Sequence, residues 1–417
     1  MALDPASRRE FLQSSVALAA SGLIPAGSLS GQEAAGATST FPHPLLTPAD
    51  QFYDVSRGNP KPYTLAGEAL TKARLTPETW RLEIEADPYT GDTVKEPASL
   101  GKPLRTADGT ALDLAALMEL GKTKCVRFLK AMQCLNIAEP LGQGLWEGVP
   151  LREVLKLCGP LHNTRRIYYW GFHNDDPKQL FQSSLSYTEA METPPGELPA
   201  FLAYRLNAEP ISLERGGPVR MVIPWAHGFK SIKWLQHIRV TNDYRANDTY
   251  AERNNDPESH LKTAAYLDPA PDRFVAGRAI TLTGRVISGL SGLDRVEGWL
   301  RSVRSEEPRK EPDEKTLASA VWNPCELEAP PADWSLVLPP GIASRELLGF
   351  DSRTGRPTSW PTRYGMVSWS TTLRNLKPGD YEFRARAVDL NGFAQPDPRP
   401  VPKTGKNAVE VHRFTVA

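Results

Sequence analysis

The sequence predicts an α+β domain followed by an all-β sandwich, and three observations carry that expectation. Strand-like and helix-like stretches alternate from about residue 80 to 244, whereas strand-like stretches dominate beyond 250. Proline, 38 of 417 residues, is well above its ordinary share of about 5%, which favours loops and strands over long helices. The length exceeds what one hydrophobic core usually serves, ~250–300 residues, so more than one domain is expected. A 40% apolar and 24% charged composition belongs to a folded globular chain.

Residues 1–37 are expected to be an export signal rather than part of the fold. Ser7-Arg8-Arg9-Glu10-Phe11-Leu12 has the twin-arginine pattern, a weakly apolar run from Val16 to Leu29 follows, and Ala35-Gly36-Ala37 offers a peptidase small residues. That run is too short and too rich in Ser and Gly for a stable membrane span. A periplasmic or otherwise exported protein is implied, and the route carries folded cargo that often already holds a cofactor.

The α+β domain is expected over residues 38–250. Trp80 to Glu85 alternates apolar and charged residues, the period of a half-buried strand. Leu112 to Leu120 has helical spacing, and Val126 to Cys134 reads as a strand ending at a cysteine. Pro150 stands where proline starts a helix, and Gly159-Pro160 stops that helix after Leu151 to Leu157. An aromatic strand at Ile167–Trp170, a short helix at Tyr187–Met191 and strands at Val219–Ile223 and Ile238–Thr241 complete it. Residues 251–417 then give strands at Ala279–Ile287, Arg295–Val303, Trp369–Leu373, Tyr381–Val388 and Val409–Val416. In the fourth, Tyr381, Phe383, Ala385 and Ala387 alternate with Glu382, Arg384 and Arg386, as one buried face requires. Such a series suggests an immunoglobulin-like sandwich.

Composition and motifs exclude several functions. With 49 basic and 49 acidic side chains there is no cationic excess to displace counterions, so nucleic acid is not an expected partner. No Gly-x-Gly-x-x-Gly supports an NAD site, no Cys-x-x-Cys-His a covalent haem, no His-x-x-x-His a zincin, and no Gly-x-Ser-x-Gly a hydrolase elbow. Of the four cysteines, Cys158 and Cys325 read as structural, and a Cys125–Cys158 disulfide stays open.

Two features could carry chemistry. Cys134, at the end of its strand, could be a soft metal ligand, a nucleophile or an inert core thiol. Between Arg215 and Lys233, a turn, the strand with Arg220 and a loop containing Gly228, Lys230, Ser231 and Lys233 could offer N–H groups, a hydroxyl and cations to one anion. A solvated basic turn is the alternative.

Taken together, these features resemble the molybdopterin enzymes of the sulfite oxidase family over nearly the whole chain after the signal. The resemblance is carried by Thr47-Pro48 with Phe52-Tyr53, by Gln133-Cys134 before Trp146-x-Gly148-Val149-Pro150-Leu151, and by Asn207-Ala208-Glu209-Pro210. Gly217-Pro218-Val219-Arg220, Gly228 through Trp234, and Arg386-Ala387-Val388-Asp389 with Gly392 and Gln395-Pro396 continue it in order. It implies a molybdopterin-binding domain and an immunoglobulin-like dimerisation domain, hence a homodimer. It implies one molybdenum–pterin per chain, with Cys134 as metal ligand and catalytic residue. Arg220, Lys230 and Lys233 would hold the pterin phosphate, with Gly228, Phe229 and Ser231 shaping that loop. Arg215, Tyr53 and Asp54 would be further pterin contacts.

The implied activity is two-electron oxygen-atom transfer, as oxidation of a small sulfur oxyanion such as sulfite, with electrons leaving to an external c-type cytochrome. Three departures bear on the substrate. Leu135-Asn136-Ile137-Ala138 replaces the family's Ala-Gly-Asn-Arg, Phe181 stands where a tyrosine is expected, and only Arg57 lies near the expected N-terminal arginine. Fewer fixed donors would weaken sulfite binding. A sulfoxide reductase of the same family is therefore an alternative, and a non-catalytic binding or assembly protein a third.

Overall fold

Two antiparallel-rich sheets, bridged by short helices, build the first part of the chain. The computed structural model describes residues 41–88, 91, 94–253, 255–303, 312–396 and 407–417; the expected export signal at 1–37 lies outside them. One sheet has the order Leu112–Asp113, Arg81–Ala86, Leu235–Thr241, Arg166–Gly171, Gln182–Ser186, with its one parallel pairing between Arg81–Ala86 and Leu235–Thr241. The other runs Glu209–Pro210, Phe201–Leu206, Gly142–Pro150, Val126–Met132, and Arg220–Val222 also pairs with Phe201–Leu206.

Local chemistry sets the ends of these elements. The Asp113 carboxylate accepts from the Ala116 amide, so the expected helix from Leu112 begins two residues later, as Leu114–Lys124, after a strand pair at Leu112–Asp113. A reciprocal pair of bonds between Ser186 and Glu189 caps Tyr187–Met191 where the helix is expected. The helix after Pro150 runs Leu151–Leu155, tightens into a 3₁₀ turn at Lys156–Cys158 and stops at Gly159, whose φ is +70°.

The strand expected to reach Cys134 ends at Met132, the last residue registered with its partner, opposite Gly142. Cys134 therefore sits in the loop beyond the sheet edge. Residues 146–150 are strand, not a lead-in to a helix, and every residue of Gly142–Pro150 is buried. Burial on both faces removes the polar alternation that would have marked it.

The region beyond residue 260 is a two-sheet sandwich. Ala264–Leu267, Ile280–Ile287, Met366–Leu373 and Glu326–Leu327 form one sheet; Arg273–Phe274, Glu410–Val416, Gly379–Val388, Arg295–Val303 and Asn323–Pro324 form the other. Leu282 and Trp369 from the first meet Val296, Phe383, Ala385 and Phe414 from the second in one core. Among the named strands, none of the first two sheets pairs with one of the sandwich. A shared core still links the two parts, since Phe128, Trp146 and Phe201 pack in one cluster with Leu261, Tyr266 and Met366.

All four cysteines are free thiols, so no Cys125–Cys158 bridge is present. Cys125 caps the end of helix Leu114–Lys124 and Cys158 is buried in its 3₁₀ turn. Burial pushes the Cys158 and Cys325 thiols up to about 12, which keeps both protonated. Among the described residues, no helix is long and apolar enough to cross a membrane.

Candidate active site

The loop after the strand Val126–Met132 and the loop after Arg220–Val222 meet face to face. The Gly228 amide donates 2.7 Å to the Gln133 carbonyl, which ties the basic loop to the residue beside Cys134. A Cβ on Gly228 would come within 3.3 Å of that carbonyl, so the absent side chain permits the approach. Between the loops lies a cleft with about 890 Å³ of empty space, its open mouth included. Cys134, Arg220, Gly228, Phe229, Ser231 and Lys233 line it.

Fixed bonds hold the cations of this wall. Arg220 Nη1 donates 2.8 Å to the Arg215 carbonyl and Nη2 donates 2.7 Å to the Ser231 carbonyl, over the Trp146 ring. Its Nε is buried without a partner. Burial, reinforced by Arg215, pulls the Arg220 guanidinium below its ordinary value. Lys233 Nζ meets the Asp54 carboxylate at 3.0 Å, the Glu214 carbonyl at 2.6 Å and the Ser56 hydroxyl. Burial and then Arg220 draw Lys233 down to about 7, against the pull of Asp54. Gly216, at φ +100°, leaves room for the Lys233 stem, whose Cγ would stand 2.5 Å from an added Cβ.

Four of the expected site residues are placed differently. Lys230 is fully buried and turned to the back of the loop, where Nζ donates 2.7 Å to the Ser184 carbonyl and lies 3.7 Å from Glu258. The 3₁₀ turn Gly228–Lys230 sends its side chain away from the side that Ser231 lines. Tyr53 is 48% exposed and does not line the cleft. Asp54 stands behind Lys233 as its counter-ion, also bonded to Lys61, Tyr63 and Ser56. Burial opposes its ionisation, but the Ser56 hydrogen bond and the Lys233 ammonium hold it well below the carboxylate range. Arg215 supports rather than lines the cleft. Its Nη1 donates 2.7 Å to the Phe52 carbonyl, Nη2 meets Glu214, and Nε has no partner.

Sequence reasoning left three residues out of the site: Tyr250, Lys130, and Arg57, which it noted only as near an expected arginine. Arg57 and Tyr250 line the cleft together with Cys134. Nothing in the local pattern marks Tyr250, which arrives on the short helix Thr249–Glu252 capped by Asp248. Lys130 lies beneath the site on the strand leading to Cys134, wholly buried, with Nζ donating 2.8 Å to the Ala131 carbonyl. Its signal was a lysine within the otherwise apolar run Phe128–Met132.

Burial, then Arg220, draws the Lys130 ammonium down to about 7. A folded-state value below the ordinary 10.5 means that folding expels a proton between those two values. The cost of burying the cation is therefore full below pH 7 and fades as pH rises toward 10.5. Lys130→Met is expected to stabilise the chain at pH 6 by a few kcal/mol, at ~1.4 kcal/mol per unit, and to lose most of that gain by pH 10. Urea unfolding at both pH values measures it, and equal gains at the two would contradict the assignment.

The donor set is informative about what could bind. The described residues contain no cluster of three or more His, Cys, Asp or Glu able to hold a metal ion, and the cleft offers one soft donor, Cys134. A metal held there needs most of its ligands from a non-protein group. The orphaned Arg220 Nε, with Lys233 and the Ser231 hydroxyl beside it, suits a bound anion. Molybdenum carried by an anionic pterin dithiolene fits both requirements.

Comparison with known proteins gives the same direction. Residues 70–249 match the family model described as the oxidoreductase molybdopterin binding domain. The chain is 24% identical over 214 residues to the mitochondrial sulfite oxidase of Drosophila melanogaster, covering 51% of this chain and 35% of that one. It is 39% identical over 106 residues to the catalytic subunit of a protein-methionine-sulfoxide reductase of Xanthomonas campestris, 22% of this chain and 30% of that one. Among solved structures, the sulfane dehydrogenase SoxCD from Paracoccus pantotrophus shares the fold, with a TM-score of 0.53 and 15% identity over 86% of each chain. The matches span between 13% and 54% of the length of these curated relatives, nitrate reductases of Glycine max among them.

Proposed function

We propose, from the premise that this chain belongs to the sulfite oxidase family of molybdopterin-binding oxidoreductases, that it is an exported molybdenum enzyme moving an oxygen atom to sulfur, with a small sulfur oxyanion such as sulfite as substrate. The observation that carries this reading is the convergence of the Cys134 thiol with Arg220, Ser231 and Lys233 around one cleft, closed by the Gly228–Gln133 hydrogen bond. Bound there, the molybdenum–pterin group would supply two-electron oxygen-atom transfer. The chain's own work is to hold and orient. The Cys134 sulfur would ligate the metal, Arg220 and Lys233 would neutralise the pterin phosphate, and Asp54 would keep the Lys233 ammonium aimed at it. Two electrons would leave singly to an external carrier such as a c-type cytochrome.

Removal of oxygen from a sulfoxide is a second reading, supported by the aromatic lining of the cleft and by the stretch shared with the methionine-sulfoxide reductase. Metal and pterin content, measured together with a panel of sulfite oxidation and sulfoxide reduction assays, tests both. We expect about one molybdenum per chain and cytochrome c reduction dependent on sulfur oxyanion. A chain that purifies without molybdenum after maturation in a competent host would favour a binding or assembly protein instead.

A further inference from the structure

The cleft is lined by rings as well as by charges. Phe172, Phe181, Phe229, Trp234 and Tyr250 all line it. Phe229 and Tyr250 stack with centroids 4.0 Å apart and planes 16° from parallel, and Phe181 meets Tyr250 edge-on at 5.8 Å and 89°. The Arg57 guanidinium lies 4.0 Å above the Phe181 ring. Among the described residues Arg57 has neither a carboxylate partner nor a hydrogen bond, whereas Arg220 and Lys233 are the groups assigned above to the pterin phosphate. The Tyr250 hydroxyl likewise makes no hydrogen bond among the described residues, and burial pushes its phenol up to about 12, so it remains a neutral donor. Arg57, Tyr250 and Cys134 all line this one cleft.

Bare sulfite would use only part of this lining. A small dianion asks for several fixed cationic donors to replace its water, and it would leave the ring wall wetted and unused. With Arg220 and Lys233 assigned to the pterin phosphate, the Arg57 guanidinium, the Tyr250 phenol and the joined rings of Phe181, Tyr250 and Phe229 match a single negative head on an apolar body. The guanidinium would take the head through two N–H groups while the rings cover the body.

We propose that the substrate is an organic sulfinate, a monoanionic sulfur oxyanion carrying an apolar and preferably aromatic substituent, seated with its oxygens on Arg57 and Tyr250 and its substituent against Phe181 and Phe229. The inference rests on the oxygen-transfer reading and names the substrate class of that site. The balanced conversion is R–SO2⁻ + H2O → R–SO3⁻ + 2 H⁺ + 2 e⁻. One S–O bond forms, sulfur is oxidised by two electrons, the oxygen comes from water, and two equivalents of the external one-electron carrier are reduced.

Binding of two product-like anions to the purified holoenzyme, followed by calorimetry, tests this without turnover. Benzenesulfonate is expected to bind at least tenfold tighter than inorganic sulfate. Phe181→Ala should erase most of that preference, and Arg57→Gln should weaken both anions alike. Sulfate binding as tightly as benzenesulfonate, or a preference untouched by Phe181→Ala, would overturn the inference. A parallel assay of sulfite and benzenesulfinate oxidation separates the two levels. Turnover of sulfite with no benzenesulfonate preference leaves the enzyme reading standing and removes this one. A benzenesulfonate preference with no oxygen transfer to either substrate keeps the aromatic-anion site but removes its assignment as a sulfinate oxidase.

Discussion

Cys134→Ser is expected to lower oxygen-transfer activity by more than ~100-fold while leaving the unfolding midpoint close to that of the parent chain. Loss of partners outside a metal's own ligands commonly costs ~10–100-fold, and loss of the ligand itself should exceed that. Serine keeps the side-chain shape but replaces a soft sulfur donor by a hard, protonated hydroxyl. The fold should hold because the loop is anchored by main-chain and neighbouring groups. The Gly228 amide binds the Gln133 carbonyl, and Gln133 Nε2 donates 2.8 Å to the Ile137 carbonyl. Steady-state kinetics paired with X-ray absorption at the metal edge makes the measurement, with one fewer sulfur expected around molybdenum. Unchanged activity with an unchanged sulfur count would remove Cys134 from the metal.

Arg220→Met is expected to cut molybdenum and pterin content by tenfold or more. The side chain is 7% exposed, lines the cleft, and carries a buried Nε that has no partner among the described residues. A hydrogen bond to a charged group is worth ~1.5–3 kcal/mol, and ~1.4 kcal/mol is already tenfold in affinity. The same guanidinium braces the Arg215 and Ser231 carbonyls, so methionine could also loosen the turn. Arg220→Lys separates the two effects. It restores the charge without the planar fork, so cofactor content should recover in part. Full metal content in the folded methionine variant would show that the orphaned nitrogen serves no anion.

Different parts of the molecule were legible to different degrees, for physical reasons. Trp80–Glu85 alternates buried and half-buried residues, and Tyr381–Val388 alternates apolar core residues with polar ones, of which Glu382 and Arg384 are buried too in ion pairs, so alternation is written into both. Gly142–Pro150 is buried throughout and carries no such alternation, so it was read only as the approach to Pro150. Cys134 was found because it follows a recognisable strand, though the strand stops two residues short of it. The basic loop was found by its local density of cations, but density does not say which way each one turns. Lys230 faces the Ser184 carbonyl, and Arg215 faces Phe52.

What the sequence determined by itself was the order of elements, the α+β-then-sandwich plan and the ordered segments that mark the family. Those depend on spacing along the chain and on caps such as Asp113 and Ser186, which act over three or four residues. What only the tertiary structure decided was the composition of the cleft. Arg57, Phe181, Phe229 and Tyr250 come from four separate segments and meet only when both sheets and the loops above them are assembled. Lys130 is an ordinary lysine by sequence and becomes a buried, weakened cation because the surrounding core excludes water. Distance and desolvation are three-dimensional quantities, and the chemistry of this site depends on both.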